Sequence, residues 1–183
     1  MDDSNTYANQ ELGISIEKPD TWSFLPPRWA LGLLLDRVEP SSEDSGELLK
    51  YAREPLFYFH YDHGMDDQVL PTVCGTYREV AGIGLADRPT LLRMQMIQLQ
   101  AVFEDFSLIE ATADGLISRR PANIIKSTFS VYVRNGGKLE CLSRCYLIFA
   151  GDFMFCVEMF GPSDGEYRCE GEFRDILGSI RID

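Results

Sequence analysis

The segment His60-Tyr61-Asp62-His63-Gly64-Met65-Asp66-Asp67 collects both histidines of the chain and three carboxylates behind an aromatic run. Imidazole and carboxylate together are a donor set for a divalent ion. A small metal-dependent hydrolase centred on His60 and His63 is therefore the enzymatic alternative. Against it, the segment lacks a His-Glu-x-x-His spacing, and loops are commonly acidic because water solvates them. Cys141-Leu142-Ser143-Arg144-Cys145 has the outline of a ligand knuckle. On a strand its two sulfurs share a face but stand about 13 Å apart at ~3.3 Å per residue. One zinc with bonds of ~2.3 Å does not reach both. Unpaired cysteine is among the most buried residue types, so the two read as core thiols.

Other chemistries have less to stand on. There is no Gly-x-Ser-x-Gly elbow, and a nucleophilic triad would have to be built around the one loop that holds both histidines. Gly136-Gly137-Lys138 lacks the upstream glycine spacing and the following Ser or Thr of a phosphate loop. Gly82-Ile83-Gly84 is too short for a dinucleotide fingerprint, and Glu104-Asp105 reads as a solvated pair. No catalytic residue, metal ligand or cofactor site is assigned.

Trp29, Leu31, Leu33, Leu34 and Leu35 are the candidate partner-binding residues. Packed on a sheet they would be ordinary core. Exposed, they would form an apolar patch of the kind that marks an interaction site. Trp29→Ala separates the two: it unfolds a core residue's protein but only weakens partner binding or self-association at a surface one.

The elements that position these residues follow from periodicity. Leu12, Ile14 and Ile16 alternate with polar residues as a half-buried strand does. Lys18-Pro19-Asp20-Thr21 turns the chain into a short strand with Trp22 and Phe24 inward. Pro27 suits a first helical position, and a helix is expected over 28–38. An acidic loop over 39–46 and a second short helix over 47–53 follow. Leu56 to Tyr61 and Val69 to Val80 read as strands. Asp87 caps the clearest helix, whose stripe is Leu92, Met96, Leu99, Phe103 and Phe106.

From Leu108 onward the pattern is an antiparallel meander, with turns at Asp114-Gly115, Asn135-Gly136-Gly137 and Gly151-Asp152. Around Gly151, Tyr146, Ile148, Phe153, Phe155 and Val157 fall on one face, and Leu147, Phe149, Met154 and Cys156 on the other. Neither face is wet, so helices are expected on both. A terminal helix with Ser163 and Glu166 as its capping box should end at a left-handed Gly178, before a last strand at 179–182.

Composition bounds the partners. The 183 residues include 17 basic and 29 acidic side chains, for a formal charge of −12. Phosphate binding needs clustered Lys and Arg, so nucleic acid is excluded as a partner. The apolar fraction of 45% is enough for a packed core. No apolar run reaches the ~20 residues that span a bilayer, so membrane insertion is not expected. Five cysteines, an odd count, fit a reduced, cytoplasmic setting.

The run from Tyr7 to Trp22, Tyr-Ala-Asn-Gln-Glu-Leu-Gly-Ile-Ser-Ile-Glu-Lys-Pro-Asp-Thr-Trp, resembles the N-terminal strand, Pro turn and Trp of PsbP-like proteins. The later order also resembles theirs: long helix, meander, then a terminal helix ending Phe173-Arg174-Asp175-Ile176-Leu177-Gly178-Ser179-Ile180. Residues 28–53 look like a helical insertion relative to shorter members. That group includes a photosystem accessory subunit, Ran-binding Mog proteins, DcrB-type lipoproteins and chaperones of type VI secretion effectors. The resemblance implies a binding scaffold with no catalytic residues to carry over.

The expectation is thus an α+β single domain over 1–183, an antiparallel meander with helices on both faces. Its expected function is non-enzymatic protein binding, as a cytoplasmic chaperone or adaptor for a secreted effector or membrane protein. A protein partner is expected and a homodimer is possible; a structural subunit of a larger assembly is a further alternative.

Overall fold

The computed structural model describes residues 5–29, 54–62, 70–82, 84–132, 137–163 and 169–183. Two antiparallel sheets carry the fold. The smaller has the order β1-β2-β10, from Thr6–Asn9, Ile14–Glu17 and Arg181–Ile182. The larger has seven strands in the order β3-β4-β5-β9-β8-β7-β6. These are Trp22–Phe24, Phe57–Tyr61, Thr72–Glu79, Glu104–Ile117, Arg120–Tyr132, Lys138–Ala150 and Phe153–Pro162, numbered β3 to β9 in chain order. The helices are α1, Arg88–Val102, and α2, Glu170–Ser179. The expected single sheet is corrected by the small one: Ile14 and Ser15 pair with the C-terminal Ile182 and Arg181 rather than with the meander. Among the described residues, no helix is long and apolar enough to cross a membrane.

The β8–β9 hairpin follows the turn chemistry. Gly151 takes φ +60, and the two-residue turn sets Ala150 opposite Phe153 and Leu147 opposite Cys156. Alternation then sorts the side chains between two cores. Tyr146, Ile148, Phe155 and Val157 join one with Trp22, Phe59 and, from α2, Phe173 and Ile176. Leu147, Phe149 and Met154 join the other with Leu92 and Leu99 of α1. Trp22 is 1% exposed and meets Phe59, Tyr61 and Phe173 edge-on at 5.9, 6.0 and 5.9 Å. Rings so arranged add attraction beyond the area they bury.

Four local expectations are corrected. The stripe of α1 stops at Val102, because Phe103 turns extended and stacks on Phe129 at 3.9 Å. Phe106 lies in β6 instead. Asp105, at φ +51, accepts from Ser130 Oγ at 2.9 Å and pairs with Lys138. Sheet pairing outweighs the helical period there.

Asp114-Gly115 is no hairpin turn but lies inside β6, at a register shift between Thr112 and Gly115. A Cβ at 115 would stand 2.6 Å from Ile124 Cδ1 and 2.9 Å from the Ala122 carbonyl oxygen, which accounts for the glycine. The β6–β7 turn is made by Ser118 and Arg119, both at positive φ, 50° and 62°.

Ser163 does not cap α2, which begins at Glu170; its N–H donates to Glu140 O at 3.2 Å, extending the β8–β9 ladder. Gly178 is not a left-handed stop. It stays inside α2, whose end is tied by Ser179 Oγ donating to Ile176 O at 2.7 Å.

Candidate docking surface

Among the described residues, strand β6 closes one edge of the large sheet, paired to β7 on one side only. An edge strand carries a row of backbone N–H and C=O groups available to another chain. The side chains on this edge are unusually greasy for such a place. Leu116 is 72% exposed, Ile109 is 59% exposed, and Leu108 is exposed as well. Leu108 stands opposite Ser127, and Leu116 opposite Pro121. Both partners alternate in register with Ile125, so Leu108 and Leu116 lie on the α1 side of the sheet. The outer turn of α1 adds Ile97, 64% exposed, and Met94.

The same strand is acidic. Glu104, Asp105, Glu110 and Asp114 lie on it, and it has no Lys or Arg. Lys126 answers Glu110 at 2.7 Å, and Lys138 answers Asp105 at 2.5 Å. These pairs are exposed and worth little to stability, so they leave the edge available.

Helix α1 is held against the sheet by the buried Leu92 and Leu99, by Leu91 and Met96 beside them, and by a buried amide. Asn123 is fully buried on β7, and its Nδ2 donates to Arg88 O at 2.9 Å at the helix start. Asp87 occupies the cap position, as expected, but its carboxylate accepts from Gly84 N–H at 3.0 Å and makes no cap bond to the helix.

Helix α2 borders a small open cleft of about 160 Å³ lined by Lys126, Arg144, Tyr146, Glu170, Phe173, Arg174 and Leu177. Arg144 is buried there, pairs with the Glu170 carboxylate and lies 5.1 Å from the Phe173 ring. This pair ties α2 to β8.

The residues singled out in the sequence are only partly placed. Trp29 ends the described helical turn 27–29 and is 69% exposed. Leu31, Leu33, Leu34 and Leu35 lie outside the described residues, as do the expected helix over 47–53 and most of that over 28–38. His60 sits half-buried on β4 with Nδ1 3.0 Å from Tyr61 O, and Asp62 accepts from Ser23 Oγ at 2.8 Å. His63, Asp66 and Asp67 lie outside the described residues. Cys141 and Cys145 are both buried on β8, and all five thiols are free. The exposed apolar residues of β6 escaped the sequence reading because Leu and Ile on a strand read as core.

The chain superposes on solved structures over most of its length. LpqN of Mycobacterium tuberculosis, described as involved in cell envelope biogenesis, superposes with a TM-score of 0.59 at 16% identity, covering 92% of this chain and 82% of LpqN. The cyanobacterial PsbP of Synechocystis, CyanoP, gives 0.54 at 11% identity, with 97% and 91% covered. The Ran-binding protein Mog1p of Saccharomyces cerevisiae gives 0.52 at 8% identity, with 97% and 94% covered. The fold is the PsbP-like/Mog1 fold. At these identities the likeness is one of fold, and the PsbP-like fold does not by itself fix a function. No protein-family model matches the chain, and no curated protein matches it.

Proposed function

We propose that the chain is a non-enzymatic protein-binding scaffold and that its partner docks on the β6 edge and the outer face of α1. The observation that carries this reading is the exposed apolar set Leu108, Ile109 and Leu116 on a strand that is the sheet edge among the described residues. The partner best suited to it is an extended segment bearing apolar and basic residues. Backbone pairing and apolar pockets would hold it, and the four carboxylates of β6 would favour its charge. A second copy of this chain fits less well, since edge-to-edge pairing would bring those carboxylates together. Mog1p, a Ran-binding protein of the same fold, lends support to protein binding.

In the finer form of the proposal the α1 and α2 layers are the two outer layers of an α/β/α sandwich. The scaffold is then a cytoplasmic chaperone or adaptor for a secreted effector or membrane protein. The test is a pull-down from native extract with the wild-type chain and with the Leu108→Glu/Leu116→Glu double variant. The expected result is a stoichiometric protein companion that the variant loses, with an unchanged thermal midpoint. A chain recovered alone, or a companion retained by the variant, removes the proposed site.

A further inference from the structure

Strands β5, β9 and β8 are neighbours, and their register sets Cys74, Glu158 and Cys145 in one row across the sheet. Cys156 follows two residues before Glu158 on β9, on the same face. The Sγ atoms of Cys145 and Cys156 are 3.8 Å apart, and Cys156 Sγ lies 3.9 Å from Glu158 Oε1. One donor atom from each of Cys145, Cys156 and Glu158 lies within 4.8 Å of the others. Two Zn–S bonds of ~2.3 Å at a tetrahedral angle put their sulfurs about 3.8 Å apart. The thiol pair already has that spacing.

The carboxylate makes this more than a greasy thiol pair. Its Oε1 lies at the end of the contact from the Cys156 thiol, so a cation held by the two sulfurs would meet it as a third donor. Cys145 is fully enclosed, while Cys156 and Glu158 keep partial access to solvent, which leaves a way in. Cys74 is paired with Glu158 from β5 and lies on the same face.

We propose that Cys145, Cys156 and Glu158 form a binding site for a thiophilic divalent cation, with zinc as the fitting ion. Thiolate donors select zinc over calcium or magnesium. On binding, the cation displaces the two thiol protons to solvent and takes the Glu158 carboxylate as its third ligand.

The test uses the full, fully reduced chain titrated with Co²⁺ under anaerobic conditions and then with Zn²⁺. One cobalt per chain should bind with thiolate-to-cobalt charge-transfer absorption, Zn²⁺ should displace it, and saturating Zn²⁺ should raise the thermal midpoint. Cys156→Ser and Glu158→Gln should each weaken Zn²⁺ binding by at least about 10-fold, while His60→Ala changes nothing. Glu158→Gln keeps the side-chain shape and carries the test if the Cys156 variant fails to fold. Absence of the charge-transfer absorption, or the same affinity in both variants, overturns the site.

Discussion

Burial pushes the Cys141 thiol up to about 12 and the Cys169 thiol up to about 11, with Glu140 and Glu172 respectively adding to the effect. An unfolded thiol ionises near its ordinary value of 9.0. Both groups therefore favour the folded state in full below pH 9.0. That preference declines as pH rises from 9.0 towards about 11 and about 12, because only the unfolded chain ionises in that window. Urea midpoints measured across this range should fall, and a Cys141→Ala/Cys169→Ala variant should show a shallower decline. An identical pH profile in the variant would mean the thiols are not responsible.

At the scale of elements, glycine marks where strands come closest to other atoms. Gly75 on β5 lies directly opposite Phe57 on β4, and a Cβ there would stand 2.2 Å from the Phe57 ring. The ring lies over the strand because glycine leaves room for it. Gly75→Ala should destabilise the chain by about 1–3 kcal/mol, the usual cost of forcing a methyl into a packed core. A Phe57→Leu change in that background should recover part of the loss. Equal urea midpoints for wild type and Gly75→Ala would show that the ring moves aside freely. The β6 edge follows a different logic: its bulges and carboxylates discourage uncontrolled strand pairing, while its exposed leucines keep it attractive to a matched partner.

For the molecule as a whole, the charge of −12 acts on encounter more than on the fold. If the docking segment is basic, its association rate with this chain should fall steeply as ionic strength rises from ~0.01 to ~0.15 M, where the screening length drops from about 30 to about 8 Å. Dissociation, governed by the apolar contacts, should change much less. Stopped-flow measurement of both rates checks this, and a salt-independent association rate would remove charge from the recognition scheme.

Local chemistry in the sequence was enough for much of the fold. Alternation along Tyr146 to Val157 sorted those side chains between two cores, Gly151 marked its hairpin, and the period from Leu92 to Leu99 marked α1. Each depends on neighbours a few residues apart, so period and turn preference suffice. The two-residue turn at 151–152 sets Cys145 opposite Glu158. Distant pairings were decided only in three dimensions. Leu108 and Leu116 are exposed because strand order leaves β6 at the edge, the central helix stops at Val102 because Asp105 and Phe103 find partners on β7 and β8, and Cys74 joins the thiol row because β5 returns to β9. Contacts between residues far apart in sequence leave no periodic trace, and the same apolar strand serves as core or as surface according to what lies beside it.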